Sequence, residues 1–265
     1  MMQTSSPQIS IITINRNQAT GLARTLESVA CQTYRNFEHL VLDGASTDDS
    51  TAVLEHYRPQ LAHAVSEPDH GIYDAMNKGI ARARGNHLLF LNSGDYLRNP
   101  EALALAAPHL DGPDLVYFDL EVSESACHSR IESFPDTLDY GYFARHSLPH
   151  PSTFIAASLF QRYGPYDTSL RIVSDWKAFL LWVCKHNCTY RHVPKPLTIY
   201  SFDGVSSRSE SAPILQAERL RVLEGEFPAV HRTYLQSEAT ARRISRIRQR
   251  WFIRALCKTG LLEAF

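Results

Sequence analysis

Four apolar runs of strand length, each ending on small or polar residues, organise the first 95 residues of this chain and restrict it to very few folds. "QISIITI" (Gln8–Ile14) is followed by Asn15-Arg16-Asn17, and "HLVLD" (His39–Asp43) by "GASTDDS". A third run near Ala62–Val65 leads into Ser66-Glu67-Pro68-Asp69-His70-Gly71, and "HLLFL" (His87–Leu91) stops on Asn92-Ser93-Gly94-Asp95. Helical spacing fills the intervals: Leu22, Leu26, Val29 and Ala30; then "DDSTAVLEHY", with Ser46 or Thr47 placed as its cap; then Ile72, Ala75, Met76, Gly79, Ile80 and Ala83, with Gly85 suited to stop that helix. Strands that are nearly all apolar and alternate with helices belong to a parallel sheet covered on both faces. Ligands of such sheets bind beyond the carboxyl ends of the strands. The candidate site residues are therefore Thr13 and Asn15, Asp43, Glu67 and Asp69, and Asp95.

Further along, Asp114–Phe118 is another strand, and the pattern is irregular from about Glu121 to His150. "PSTFIAASLFQRYGPYD" offers a short strand, a helix and a Gly-Pro turn. "RIVSDWKAFLLWVCKHN" becomes helical from about Asp175, "YRHV" and "LTIYS" read as two strands, and the chain is mainly helical from Ala212.

Composition narrows the function classes. The chain is 44% hydrophobic and 21% charged with a net charge of −1, which is the balance of an ordinary soluble globular protein and not of an electrostatic nucleic-acid binder. Five scattered cysteines (Cys31, Cys127, Cys184, Cys188, Cys257) argue against a disulfide framework and for a reducing compartment. No basic n-region precedes the first apolar run, and no run reaches the ~18 residues of a membrane span, so a cytoplasmic location is expected. The absence of G-x-G-x-x-G disfavours a dinucleotide oxidoreductase.

Taken together and in order, "ISIITIN", "LARTLESVACQTYRNFEHLVLDGASTDDST", "SEPDHGIYDAMNKGIARARGNHLLFLNSGD" and "IVSDW" resemble the family 2 glycosyltransferases, over roughly residues 8 to 206. That resemblance implies a GT-A fold, a Rossmann-like α/β architecture with a mainly parallel sheet flanked by helices. It divides the chain into a catalytic domain at 1–211 (a nucleotide-sugar half at 1–100 and an acceptor half at 101–211) and a helical, basic extension at 212–265. The implied activity is inverting, metal-dependent sugar transfer, from a nucleotide-diphosphate donor (a UDP-sugar favoured) to a glycan or lipid-linked acceptor in cell-surface polysaccharide assembly.

Residue roles follow from the same resemblance. Asp95 takes the place of the last carboxylate of an Asp-x-Asp motif and would hold Mn²⁺ or Mg²⁺. Asn92 and Gly94 stand where many relatives carry carboxylates, and Asn92 and Ser93 would face the donor. Asp43 would accept a hydrogen bond from the nucleotide base, with Thr13 and Asn15 beside base and ribose. Asp69, Tyr73 and Asp74 become donor-side contacts. Asp175, in Ser174-Asp175-Trp176, matches the second residue of a Glu-Asp motif and would be the catalytic base. Judged from the residues alone, Asn-Ser-Gly-Asp equally suits a β-turn, Asp43-Gly44 a turn before a helix, and the acidic residues of the helix starts dipole caps. His150 is a lesser candidate for diphosphate or acceptor, and Phe202–Ser206 resembles a loop that closes over the donor. Cys184, Cys188 and His192 invite a zinc reading, but an apolar setting favours core packing.

Between Arg242 and Lys258 lie seven basic residues and no acid, leaving −8 on the rest of the chain. Ile244, Ile247, Trp251 and Ala255 share a face, the pattern of an amphipathic helix on an anionic membrane surface. Two alternatives remain open: a catalytically degenerate nucleotide-sugar-binding or membrane-scaffold protein, and a nucleotidyltransferase. The latter would want a Gly-rich loop after the first strand, where no glycine occurs until Gly21.

Overall fold

The computed structural model describes residues 7–125, 128–201 and 211–248. The described residues fall into two compact units divided between Glu218 and Arg219. In the first, four parallel strands carry the expected apolar runs: β1 (Ile9–Asn15), β2 (Phe37–Asp43), β3 (His63–Ser66) and β4 (His87–Phe90). They lie in the order β3-β2-β1-β4, joined by α1 (Ala19–Ala30), α2 (Ser50–Tyr57) and α3 (Ile72–Arg82). The register sets Asn15 beside Asp43 and Asp43 beside Ser66, so one level of the sheet carries three polar residues at its carboxyl end.

Beyond β4 the sheet continues as mixed. The remaining elements are β5 (Tyr96–Leu97), α4 (Ala102–Ala106), β6 (Leu115–Ser125), β7 (His128–Glu132), α5 (Tyr140–Phe143), β8 (Thr153–Ala156), α6 (Ala157–Tyr163), α7 (Ser174–Cys184) and β9 (Tyr190–Ser201). Strand β8 pairs antiparallel with both β4 and β6, β9 runs parallel to β6, and β5 closes the far edge antiparallel to β9. Beyond the short β8, β7 pairs the outer half of β6, so the stretch expected to be irregular after Glu121 is in part a hairpin. "YRHV" and "LTIYS" are one strand, not two. Pro194 and Pro196 cannot donate to the ladder, and the pairing slips there, at Asp119 opposite Pro196, without breaking.

The cores match the periodicity. Leu22, Leu26 and Val29 of α1 are buried, with Leu22 and Leu26 against Val41 and Leu54 and Val29 among Ile9, Ile11, Leu89 and Leu91. At the amino end of the sheet, buried Glu38 accepts from Ser10 Oγ, from the Arg84 backbone N–H and from the Arg84 guanidinium, at 2.6–2.9 Å. Gly85 does not end α3, which stops at Arg82. A Cβ on Gly85 would lie 2.5 Å from the Ser10 nitrogen, so the residue serves the close approach of the chain to β1. Nor do Ser46 and Thr47 cap α2; Asp48 Oδ1 accepts from the Ser50 N–H at 3.0 Å, and Ser46 is engaged elsewhere. The second unit comprises the C-terminal part of α8 (Ala212–Glu226) and α9 (Pro228–Arg248).

Candidate active site

Asp43 ends β2 with only 2% of its surface exposed. Its Oδ1 accepts from Asn15 Nδ2 (2.7 Å) and Ser46 Oγ (2.5 Å), and its Oδ2 from the Ser46 N–H (2.9 Å) and Ser66 Oγ (2.6 Å). Burial works to raise its pKa, but the hydrogen bonds from Ser46, Ser66 and Asn15 outweigh it and hold the carboxyl below its usual range. All four lone-pair positions of the carboxylate are thus filled by the protein. Asp43 ties together the loops that follow β1, β2 and β3. The loop after β1 is also bound to that after β2 through Asn17 N–H to Ser46 Oγ (2.7 Å) and Thr47 N–H to Asn17 Oδ1 (2.8 Å). Because Asn15 must turn its Nδ2 toward the carboxylate, its Oδ1 is buried without a partner among the described residues.

Thr13 shows no exposed surface. Its hydroxyl donates to the Leu91 carbonyl (2.8 Å) and therefore accepts from His39 Nε2 (2.9 Å), which fixes the His39 tautomer with the proton on Nε2. Burial lowers the His39 pKa to about 3, so the ring is neutral. Thr13 thus supports the end of β4 from beneath and presents no atom to a ligand.

The Asn92–Asp95 segment is a turn, closed by the Asp95 N–H donating to the Asn92 carbonyl at 3.0 Å. It stands at the carboxyl end of β4 and is held by α1: Thr25 Oγ1 donates to the Asp95 carbonyl (2.7 Å) and accepts from the Gly94 N–H (3.1 Å). Gly94 has φ +102°, a region that side chains avoid, so a carboxylate at this position would strain the turn. Ser93 directs its hydroxyl to the Ile14 carbonyl (3.2 Å). Asp95 is buried, at 7% exposure, and Asn92 Oδ1 lacks a partner among the described residues. One buried carboxylate and one orphaned amide oxygen on a rigid turn fit a hard divalent cation that draws its other ligands from phosphate and water. A cage made of protein alone is not present, since no cluster of three or more His, Cys, Asp or Glu suited to a metal occurs among the described residues.

After β3, Asp69 lies against Gly44, so the loops beyond β2 and β3 touch. Asp69 Oδ1 accepts from the Gly71 N–H (2.9 Å). Asp74 Oδ2 accepts from the His70 N–H (3.0 Å) and pairs with Lys78, which also pairs with Glu67. Both carboxylates thereby stabilise the start of α3. Tyr73, on the first turn of α3, points away from this loop. Its hydroxyl lies 2.6 Å from the Ile172 carbonyl and 2.7 Å from Asp175 Oδ1.

Asp175, on the first turn of α7, is located by contacts from two directions. Besides Tyr73, His150 approaches Asp175 Oδ2 with Nδ1 at 3.8 Å while its ring stacks on Phe90 of β4. The carboxylate therefore sits at the carboxyl edge of the sheet, although α7 is remote in sequence. Its side chain is 22% exposed among nearly buried neighbours. Tyr166 places its hydroxyl 3.0 Å from His150 Nε2, and Asn77 clamps the Tyr166 backbone in both directions at 2.9 Å. Burial lowers the His150 pKa against the opposing pull of the Asp175 charge, leaving the ring neutral. This ring of side chains around Asp175 is what sequence reasoning missed. Its only signal was the four-residue spacing of Tyr73 and Asn77, which puts both on one face of α3.

The family follows from likeness to known proteins. The model of "Glycosyl transferase family 2" matches residues 10–156, more than half of the chain. The chain belongs to glycosyltransferase family 2. It is a glycosyltransferase, and its relatives carry that activity in their names. An uncharacterised glycosyltransferase of Mycobacterium tuberculosis is 35% identical over 85% of this chain and 87% of its own. A PGL/p-HBAD biosynthesis glycosyltransferase of the same species is 34% identical over 65% of this chain and 68% of its own. Among solved structures, S. aureus TarS 1-349 in complex with UDP-GlcNAc aligns with a TM-score of 0.60 at 21% identity, covering 73% of this chain and 58% of that one. The mannosyltransferase PcManGT of Pyrobaculum calidifontis, in complex with GDP-Man and Mn²⁺, aligns at 0.58 and 17% identity, over 97% of this chain and 80% of that one. These likenesses establish the GT-A fold.

Other candidates in the glycosyltransferase are structural. Trp176 is core, its Nε1–H donating to the Phe143 carbonyl (2.9 Å). Cys184 ends α7 and Cys188 lies beyond it; burial pushes these free thiols up to about 11 and about 12. His192 is elsewhere, bridging Asp119 (2.9 Å) and Asp136 (2.7 Å). Phe202–Ser206 lies outside the described residues.

Proposed function

We propose that this enzyme is an inverting, metal-dependent glycosyltransferase that moves a sugar from a nucleotide-diphosphate donor, UDP-sugar favoured, to a glycan or lipid-linked acceptor in cell-surface polysaccharide biosynthesis. One observation carries the reading: Asp95 and Asp175, far apart in the sequence, both stand at the carboxyl edge of the parallel half of the sheet. The nucleoside lies against the Asn15–Asp43–Ser46 corner, where the orphaned Asn15 Oδ1 accepts one of its donors, and Asp69 borders it. Asn92 and Asp95 are the residues that would hold Mn²⁺ or Mg²⁺. Bound there, the cation supplies charge neutralisation for the departing diphosphate. Asp175 takes the proton of the acceptor hydroxyl as that oxygen bonds to the anomeric carbon and the bond from that carbon to the diphosphate oxygen breaks. TarS in complex with UDP-GlcNAc and PcManGT in complex with GDP-Man and Mn²⁺ support the donor class and the cation.

Calorimetric titration of a nucleoside diphosphate panel, with and without Mn²⁺, into wild type and Asp95→Ala tests this directly. The expected result is Mn²⁺-dependent binding of one nucleotide, weakened at least tenfold by the substitution. Binding indifferent to both Mn²⁺ and Asp95 would leave Asn92–Asp95 a turn only. Donor binding with no turnover would instead identify a degenerate, binding-only protein. The basic helix is a second element of the proposal: α9 exposes Ile244 and Ile247 beside Arg242, Arg243 and Arg246, a composition suited to a peripheral contact with an anionic membrane. Residues 249–258 of that basic run lie outside the described residues. Among those that are described, no helix is long and apolar enough to cross a membrane.

A further inference from the structure

The Tyr73 hydroxyl stands between two oxygens, the Ile172 carbonyl at 2.6 Å and Asp175 Oδ1 at 2.7 Å, and has one proton to give. Burial first, and the Asp175 charge second, push its pKa well above the usual tyrosine value, so it remains a donor. A carbonyl only accepts, and so does an ionised carboxylate. With Asp175 ionised, the charge-assisted bond to Oδ1 is the stronger of the two and takes the proton. With Asp175 protonated that advantage is lost, and the hydroxyl turns to the Ile172 carbonyl. The rotor thus follows the charge of the carboxylate without itself ionising.

The other carboxylate oxygen is left available. Among the described residues the Tyr166 hydroxyl has a single partner, His150 Nε2 at 3.0 Å. Donating to that nitrogen satisfies the buried O–H, and it places the ring proton of neutral His150 on Nδ1. Nδ1–H then faces Asp175 Oδ2 at 3.8 Å, beyond hydrogen-bond reach, so it orients the field without occupying the oxygen.

We propose that Tyr73 is a positioning residue for Asp175: it holds Oδ1 by a hydrogen bond that is strongest to the ionised carboxylate, leaving Oδ2 as the oxygen that takes the acceptor proton. This rests on the reading of Asp175 as the base. It also gives α3 a function beyond packing. The helix starts from the donor-side loop at Gly71, and Tyr73 and Asn77 on one of its faces fix the 166–175 segment that carries the base.

Two measurements on the full chain test it. In protein with 3-fluorotyrosine at position 73, the ¹⁹F signal is expected to change with pH in wild type, and Asp175→Asn to abolish that dependence. A signal flat with pH, or a dependence that survives Asp175→Asn, overturns the proposal without any substrate being needed. In turnover of UDP-GlcNAc to UDP, Tyr73→Phe is expected to move the acid limb of the kcat profile up by about one pH unit and to lower kcat with KM for the donor unchanged. Asn77→Ala, which removes the other α3 tie, is expected to leave the limb in place. Equal shifts in Tyr73→Phe and Asn77→Ala would reduce Tyr73 to packing. Turnover retained in Asp175→Asn would overturn the base assignment itself. An inactive Asp175→Asn beside a Tyr73→Phe profile that superimposes on wild type would overturn only the role of Tyr73.

Discussion

Single side chains at this site divide into those with spare hydrogen-bonding capacity and those whose capacity the protein has used. Asp43, Thr13 and Ser93 are of the second kind: Asp43 and Thr13 are expected at the ligand from their place at a strand end and Ser93 from the resemblance, and each spends its polar atoms on neighbouring loops and strands. Asn15 and Asn92 are of the first, because each buries an amide oxygen without a partner among the described residues. His39 shows the same economy beneath the site, and it has a measurable consequence. Its folded pKa of about 3 lies below the unfolded value of about 6.5, so the unfolded chain binds the extra proton. The resulting stability is fully present above about pH 6.5 and is lost as pH falls from there toward 3. Between pH 7 and pH 5 this group alone should remove about 2 kcal/mol. In urea unfolding at those two pH values, His39→Gln should lose less stability than wild type by about that amount. Equal losses would show that the ring is not desolvated as described.

At the scale of elements, the site is a set of turns held from below. The Asn92–Asp95 turn is stapled to α1 by Thr25, and a Cβ on Gly21 would meet the Gly94 backbone at 3.0 Å, so helix and turn are in van der Waals contact. Gly94 is a glycine because of its φ, and the missing second carboxylate follows from backbone geometry as much as from ligand chemistry. Gly94→Ala should cost about 1–2 kcal/mol in thermal or denaturant unfolding. It should also weaken Mn²⁺-dependent nucleotide binding more than the stability loss alone accounts for, since the turn carries Asn92 and Asp95. Wild-type stability in that variant would contradict the strained turn. Helix α3 plays the corresponding part for Asp175, linking the loop after β3 to it through Tyr73. The start and direction of both helices were legible in the sequence, because apolar spacing reports a buried face. Their contacts to remote turns were not, since Thr25–Asp95 and Tyr73–Asp175 pair residues about 70 and about 100 positions apart.

On the scale of the whole chain, the charge asymmetry is the feature that the catalytic unit does not use. Arg242, Arg243 and Arg246 of α9 lie beside exposed Ile244 and Ile247. Each basic residue near an anionic bilayer contributes about 1 kcal/mol. Co-sedimentation with phosphatidylserine vesicles is therefore expected for wild type and not for the triple substitution Arg242→Glu, Arg243→Glu, Arg246→Glu, with nucleotide binding the same in both. Binding of wild type to neutral phosphatidylcholine vesicles alone, or retention by the triple variant, would refute an electrostatic membrane contact.

What the sequence by itself determined is the parallel half of the sheet, its helices and the edge on which a site must lie. Those features depend on local periodicity: apolar runs of strand length, helical spacing between them, and polar residues where each strand ends. The resemblance in those same segments also gave the family, which the comparisons establish. Tertiary structure alone decided that β8 enters the sheet antiparallel, that two expected strands are one slipped strand, and which polar residues at the edge are already satisfied. It also decided that Asp175 stands at the carboxyl edge of the sheet with Tyr73 on one oxygen. Strand order and side-chain partnership depend on which distant segments meet. A hydrogen bond between residues remote in sequence leaves no periodic trace in either of them, so only the folded chain reveals it.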